Sequence, residues 1–132
     1  MRILDTVALV SFLDGSHPLH SEAVKHVRAV TEDDETFIPS TVLIELDVVM
    51  KNNQFSFTER RASFEELAKV LPRDKILSTS AQVQRKAIEF DGIARWKSHY
   101  FDCMVAAFAS ENGAVVVTTD LQIPSLGVVT VW

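Results

Sequence analysis

The sequence has a single cysteine, no long apolar run, and no Lys or Arg after Lys97. Cys103 has no partner within the 132 residues, which excludes an internal disulfide and a cysteine-based zinc site. No apolar run approaches the roughly 20 residues that a membrane-spanning helix needs. The first residues lead directly into an apolar stretch that contains Asp5. We therefore expect no cleavable signal peptide and a cytoplasmic protein.

The composition is that of a globular protein. Hydrophobic residues make up 47% and charged residues 23% of the chain, which excludes a disordered tail. A chain of this length can bury about two-thirds of its unfolded surface, so it needs no disulfide or metal to fold. The sequence has no internal repeat, low-complexity segment or linker. We expect one domain over residues 1–132.

The net charge of −5 is unevenly distributed along the chain. Residues 1–50 carry a net charge of −6, residues 51–97 of +4 and residues 98–132 of −3. The basic middle third indicates a surface that approaches a polyanion. The alternative is that its basic residues simply solvate helix faces, among them Arg60, Arg61, Arg85 and Lys86.

Apolar runs of strand type alternate with runs of helix type. Short strands are expected at 3–4, 36–38, 76–77, 114–117 and 128–131. Helices are expected at 6–13, 18–30, from Ser40 or Thr41 to Asn52, 58–70, 80–92 and 99–112, the last ended by Gly113. This order predicts an α/β fold with a mainly parallel sheet. Ligands bind such sheets at the carboxyl ends of the strands.

Two acidic residues follow predicted strands. Asp5 ends the first strand, and Asp120 comes three residues after Val117. Both are therefore expected at the ligand-binding edge of the sheet. Alternatively, each is an ordinary N-cap of the helix that follows.

Two further acidic residues lie on apolar helix faces. Glu45 shares its face with Val42 and Val49, and Asp102 shares its face with Val105 and further apolar residues. An unpaired charge in such surroundings is costly. The alternative for Glu45 is that its long side chain reaches solvent. Four converging carboxylates repel each other, and either protonation or divalent cations relieve that repulsion. Oxygen ligands of this number suit Mg²⁺ or Mn²⁺, which indicates phosphodiester chemistry by a metal-activated water.

With these residues the chain resembles the PIN domain family. The matching segments are Asp5-Thr6, Ile44-Glu45-Leu46, Phe101 to Ala107 and Thr118-Thr119-Asp120. Within the family, the order of the four acids and the chain length are most similar to the toxins of VapBC toxin–antitoxin pairs. The resemblance implies a three-layer fold with helices on both faces of the sheet. It also implies an endoribonuclease that depends on Mg²⁺ or Mn²⁺.

The resemblance assigns roles to particular residues. Asp5, Glu45, Asp102 and Asp120 would be the metal-binding acids, Thr118 would orient the site, and Thr6 would assist less directly. Two positions depart from the family pattern. Val7 stands where the family often has Asn or Ser, and residues 121–124 lack the charged residue that many members carry. These departures put a second metal site in doubt.

The resemblance also implies partners. Relatives commonly form homodimers through their early and middle helices, and a small antitoxin often places an Arg among the carboxylates. Such an Arg replaces the charge of the metal. An RNA-processing nuclease without an antitoxin and a non-catalytic interaction module remain alternatives. An aspartyl phosphotransferase fits less well, because Val7 stands where one such class needs a second Asp and another class needs a later Lys.

Other residues have more than one interpretation. Trp96, with the basic residues around it, either grips RNA or lies in an exposed loop before a helix. His17 and His20 have no third ligand near them in the sequence, so a metal pair is disfavoured. Cys103 is expected to be buried and inert. The aromatic residues at 55, 57 and 64 are expected in the core or in a dimer contact.

Overall fold

The centre of the fold is a parallel sheet. The computed structural model describes residues 1–97 and 99–132, and within them the chain forms five strands. These are β1 (Arg2–Leu4), β2 (Thr36–Pro39), β3 (Ile76–Leu77), β4 (Val115–Val117) and β5 (Thr130–Val131). Their order is β3-β2-β1-β4-β5, and every neighbouring pair is parallel. Both faces of the central strands are buried, which explains their continuous apolar residues.

The helices connect these strands and cover both faces of the sheet. They are α1 (Thr6–Leu13), α2 (His20–Glu32), α3 (Ser40–Asn52), α4 (Phe57–Val70), α5 (Ala81–Asp91) and α6 (Tyr100–Asn112). Two short 3₁₀ segments, Arg73–Lys75 and Ile123–Leu126, complete the described elements. The predicted α/β fold with a parallel central sheet is confirmed.

Helix α6 is the most buried helix of the fold. Residues 103–109 are all buried, and the helix packs against α5, α3, β1 and β4. It ends at Gly113, whose φ of 60° lies in the left-handed region that other residues rarely adopt. The predicted helix end is therefore confirmed. This packing fixes the first turn of α6, which carries Asp102, against the sheet.

Helices α2, α4, α5 and α6 start one or two residues away from the predicted positions, and α3 differs from the prediction in its N-cap. Helix α2 begins at His20 rather than at Pro18, because the preceding residues form turns, one closed by the Leu19 amide donating to His17 Nδ1. Pro39 occupies the N-cap position of α3, so Ser40 lies inside that helix and no side chain caps it.

Helix α4 begins one residue earlier than predicted. Ser56 forms a capping box with Glu59, in which each side chain accepts a hydrogen bond from the other residue's backbone N–H. The box moves the first helical residue to Phe57. Among the described helices, none is long and apolar enough to cross a membrane.

Candidate active site

The four predicted acids lie at one end of the sheet. Asp5 directly follows β1, Asp120 follows β4, Asp102 lies in the first turn of α6, and Glu45 lies in the second turn of α3. Leu4 pairs with Val117 in neighbouring parallel strands, so the residues after these strands emerge side by side. Burial raises the pKa of Glu45, and Asp5, Asp102 and Asp120 each raise it further, so all three lie within electrostatic reach of Glu45.

Asp5 is the most buried of the four acids. Only 6% of its surface is exposed. One carboxylate oxygen accepts from the Thr6 backbone N–H at 2.7 Å, and the other accepts from Thr118 Oγ1 at 2.6 Å. Burial raises the pKa of Asp5 to about 6, although these two hydrogen bonds act in the opposite direction. Asp5 is thus the N-cap of α1 and also part of the acidic site.

Thr118 connects two of the acids. It is buried, and its hydroxyl donates to Asp5 and accepts from the Asp120 backbone N–H at 3.0 Å. Asp120 in turn accepts from the Gln122 backbone N–H at 2.7 Å. The next helical segment begins at Ile123 with Gln122 as its cap, so Asp120 does not cap it. The N-cap alternative for Asp120 is therefore wrong.

Glu45 is held by the first residue of α1. The Thr6 hydroxyl donates to one oxygen of the Glu45 carboxylate. Glu45 is half-buried, and burial raises its pKa to about 7, with further increases from Asp5, Asp102 and Asp120. Thr6, which the resemblance gave only an indirect role, therefore contacts a member of the acidic site.

Asp102 has a partner that the sequence patterns did not indicate. Trp96 Nε1 donates to Asp102 Oδ2 at 2.7 Å, and the indole is half-buried against the core. Neither earlier interpretation of Trp96, an RNA clamp or an exposed loop residue, predicted this contact. Burial raises the pKa of Asp102, and the indole hydrogen bond partly offsets that rise. Because Trp96 lies outside α6, helical periodicity could not reveal the contact.

The chemistry of the donor set fits a hard divalent cation. All four groups are carboxylates, which Mg²⁺ and Mn²⁺ prefer, and neighbouring donors already fix one oxygen of Glu45, Asp102 and Asp120. In the described ranges, however, no group of three or more His, Cys, Asp or Glu side chains has the arrangement of a formed metal site. Burial is the largest cause of the raised pKa values of Asp5 and Glu45, and the neighbouring carboxylates raise both values further.

The other candidate ligands take no part in this site. His17 Nδ1 accepts from the Leu19 backbone N–H, and His20 Nδ1 lies 2.9 Å from the Ser11 carbonyl oxygen. Cys103 is buried, and burial raises the pKa of its thiol to about 11. A neutral buried thiol is neither a good ligand nor a nucleophile, which agrees with the expectation for Cys103.

Much of the positive charge of residues 51–97 is paired within the chain. Six of the ten basic residues form ion pairs with acidic side chains: Arg60, Arg61, Lys69, Lys75, Arg85 and Lys86. Arg95 instead donates to the carbonyls of Gly92 and Ala94 in its own loop. Because these charges are paired, the basic middle third is weaker evidence for a polyanion-binding surface than the sequence alone suggested.

The fold and the site together define an α/β protein with clustered acids at the carboxyl end of a parallel sheet. A sequence model of the PIN domain matches residues 2–128. The chain therefore belongs to the PIN domain family.

Solved structures of similar fold come from several bacteria. FitAcB from Neisseria gonorrhoeae has 18% identity and a TM-score of 0.72, covering 98% of this chain and 96% of that one. VapBC2 from Rickettsia felis, bound to a promoter DNA fragment, has 17% identity and a TM-score of 0.72, covering 99% and 98%. VapC20 from Mycobacterium tuberculosis, a toxin that cleaves the Sarcin-Ricin loop, has 16% identity and a TM-score of 0.73, covering 98% and 97%. A comparison with curated proteins finds no significant match.

Proposed function

We propose that this protein is a metal-dependent endoribonuclease that hydrolyses RNA phosphodiester bonds in the cytoplasm, as the toxin of a type II toxin–antitoxin pair. The observation that carries the proposal is the convergence of four acids from four separate elements at one end of the sheet. Membership of the PIN domain family supports a nuclease, and the RNA-cleaving activity stated for VapC20 supports RNA as the substrate.

Each residue of the site has a role in this proposal. Asp5, Glu45, Asp102 and Asp120 hold Mg²⁺ or Mn²⁺. When bound, such a cation lowers the pKa of a water molecule and neutralises charge that develops on the phosphate. Thr118 keeps Asp5 and the Asp120 loop in place through its two hydrogen bonds, and Thr6 does the same for Glu45.

Cleavage of a mixed RNA pool in the presence of Mg²⁺ or Mn²⁺ tests the proposal. Asp102→Asn keeps the size of the side chain and an acceptor for Trp96 but removes the charge. We expect cleavage to fall by at least about 100-fold, since loss of a residue that only orients a ligand already costs about 10–100-fold. Asp74→Asn is the matched control, because Asp74 is exposed and lies in a different segment. Equal cleavage by the native chain and by Asp102→Asn would refute the catalytic assignment. Absence of any Mn²⁺ effect on the melting temperature would favour a non-catalytic module.

The surface of α3 and α4 supports a protein partner. A hollow of about 480 Å³ lies between these helices, and none of the four acids lines it. Ile44 is 56% exposed and Phe57 is 75% exposed at this hollow. FitAcB and VapBC2 are neighbours of the same fold, and a further neighbour from Klebsiella pneumoniae is a toxin–antitoxin complex. We include in the proposal a homodimer and a small antitoxin as partners of this chain.

Light scattering and binding to the product of an adjacent short gene test the partners. Phe57→Asp should weaken association through the hollow because it places a charge among apolar side chains. Val129→Asp is the control, since Val129 is 64% exposed, precedes β5 and does not line the hollow. A native chain that stays monomeric and binds no such product would contradict the toxin assignment but not the nuclease.

A further inference from the structure

We propose that Trp96 is a positioning residue that holds Asp102 in the orientation required for binding a divalent cation. The inference rests on the proposed function of the acidic site. Its basis is the contact between Trp96 Nε1 and Asp102 Oδ2, 2.7 Å apart and partly buried.

The indole is fixed from several directions. Its ring is packed against the hydrophobic core and meets the His99 ring edge-on, with centroids 5.8 Å apart. The His99 imidazole contacts the Trp96 carbonyl through one nitrogen and lies 2.7 Å from Asp91 Oδ1 through the other. Asp91 is the last residue of α5, so this chain of contacts connects the donor to the end of a packed helix. The indole N–H therefore has a defined position before any cation binds.

The chemistry of the donor suits this role. A carboxylate turns easily about its terminal torsion, so a fixed donor on one oxygen orients the other. An indole N–H donates and never accepts, and it carries no charge. It therefore orients Asp102 without competing electrostatically with a cation, as an Arg or Lys in the same place would. Donors outside the ligand set that orient carboxylate ligands typically contribute about 10–100-fold to metal affinity.

Trp96→Phe is the direct test because it removes the N–H and keeps an aromatic ring, although a smaller one. Titration calorimetry with Mn²⁺ should show an affinity about 10-fold lower than that of the native chain. Cleavage of RNA by Trp96→Phe should recover when the Mn²⁺ concentration is raised, whereas cleavage by Asp102→Asn should not. This recovery separates a positioning role from a general loss of structure.

Trp132→Phe provides a control with the same chemical change. Trp132 Nε1 is buried and has no hydrogen-bond partner in the part of the chain that the structure describes, so removal of this N–H costs no hydrogen bond. Trp132 stacks edge-on with His26, at a centroid distance of 5.0 Å, and contributes nothing to the four acids. We expect Trp132→Phe to bind Mn²⁺ with the affinity of the native chain.

A fluorescence titration keeps the proposal testable if Trp96→Phe does not fold. In Trp132→Phe the emission comes from Trp96 alone, and paramagnetic Mn²⁺ at Asp102 should quench it, whereas Mg²⁺ should not. Unchanged emission at saturating Mn²⁺, or equal Mn²⁺ affinity of native and folded Trp96→Phe, would overturn the positioning role while leaving the nuclease intact. A native chain that binds no Mn²⁺ in calorimetry would overturn both proposals.

Discussion

Replacement of Asp5 by Asn should stabilise the metal-free protein at neutral pH. Burial raises the pKa of Asp5 from 3.8 to about 6. Since each pKa unit corresponds to about 1.4 kcal/mol, the charged form costs the folded state about 3 kcal/mol. Asn has one acceptor oxygen where the carboxylate has two, and both Thr6 N–H and Thr118 Oγ1 donate to this residue. One weakened hydrogen bond costs about 1 kcal/mol, which leaves a net gain of about 2 kcal/mol.

The sign of the pH dependence follows from the direction of the shift. Because the pKa of Asp5 is higher in the folded than in the unfolded chain, the folded state holds more protons between about pH 4 and pH 6. Stability due to this group is therefore present at low pH and is lost as the pH rises through that window. At about pH 4.5 the native carboxyl is mostly protonated, so the advantage of Asn should shrink to near zero.

Urea unfolding with a chelator present measures this effect. The free energy of unfolding of the native chain and of Asp5→Asn should differ by about 2 kcal/mol at about pH 7.5 and converge at about pH 4.5. Subtracting the two curves cancels the titrating groups that Asp5 does not influence. Loss of the Asp5 charge also lowers the pKa of Glu45, which adds to the stability of the Asn variant at neutral pH. A difference that is constant across this range, or an Asn variant less stable than the native chain at neutral pH, would refute the argument that the buried charge of Asp5 destabilises the fold.

Two further predictions address the metal and the helix end. Mn²⁺ affinity should rise between about pH 5 and pH 8, because binding requires deprotonated Asp5 and Glu45. Their pKa values are about 6 and about 7. Calorimetry at several pH values would contradict this if the affinity did not change. Gly113→Ala should cost about 1–2 kcal/mol in urea unfolding, since a Cβ there meets no atom within 4 Å and only the left-handed φ of 60° opposes it. Gly15→Ala, which is also unobstructed but has no positive φ, should change stability little, and equal losses for the two variants would count against the backbone argument.

The helices and strands were predictable because their signals are local. Continuous apolar residues at Val115–Val117 indicated a strand buried on both faces, and Gly113 marked the end of α6. The start of α4 was displaced because Ser56 and Glu59 cap each other, a signal that is present in the sequence three residues apart. The start of α2 was not predicted, because it depends on a turn closed by the His17 side chain and helical periodicity carries no information about such a turn.

The candidate site was predictable only in part. Asp5 and Asp120 were predicted at the edge of the sheet because they follow strands. Asp102 was identified as a candidate because the residues on its helix face are apolar. Trp96 was not assigned to Asp102, because a contact across a loop has no period in the sequence. Similarly, the ten basic residues of 51–97 indicated an RNA surface, yet six of them lie in ion pairs with nearby acids.

The sequence by itself determined the order of strands and helices, the apolar surroundings of the four acids and the match to the PIN domain family. It did so because the spacing of hydrophobic residues, the capping residues and the glycines determine secondary structure within a few neighbouring positions. Only the tertiary structure decided which donors hold each acid: Thr118 for Asp5 across 113 residues, Thr6 for Glu45 across 39, and an indole for Asp102. Parallel pairing of β1 with β4 brings the first of these pairs together, since the two strands lie far apart in the chain and adjacent in the sheet.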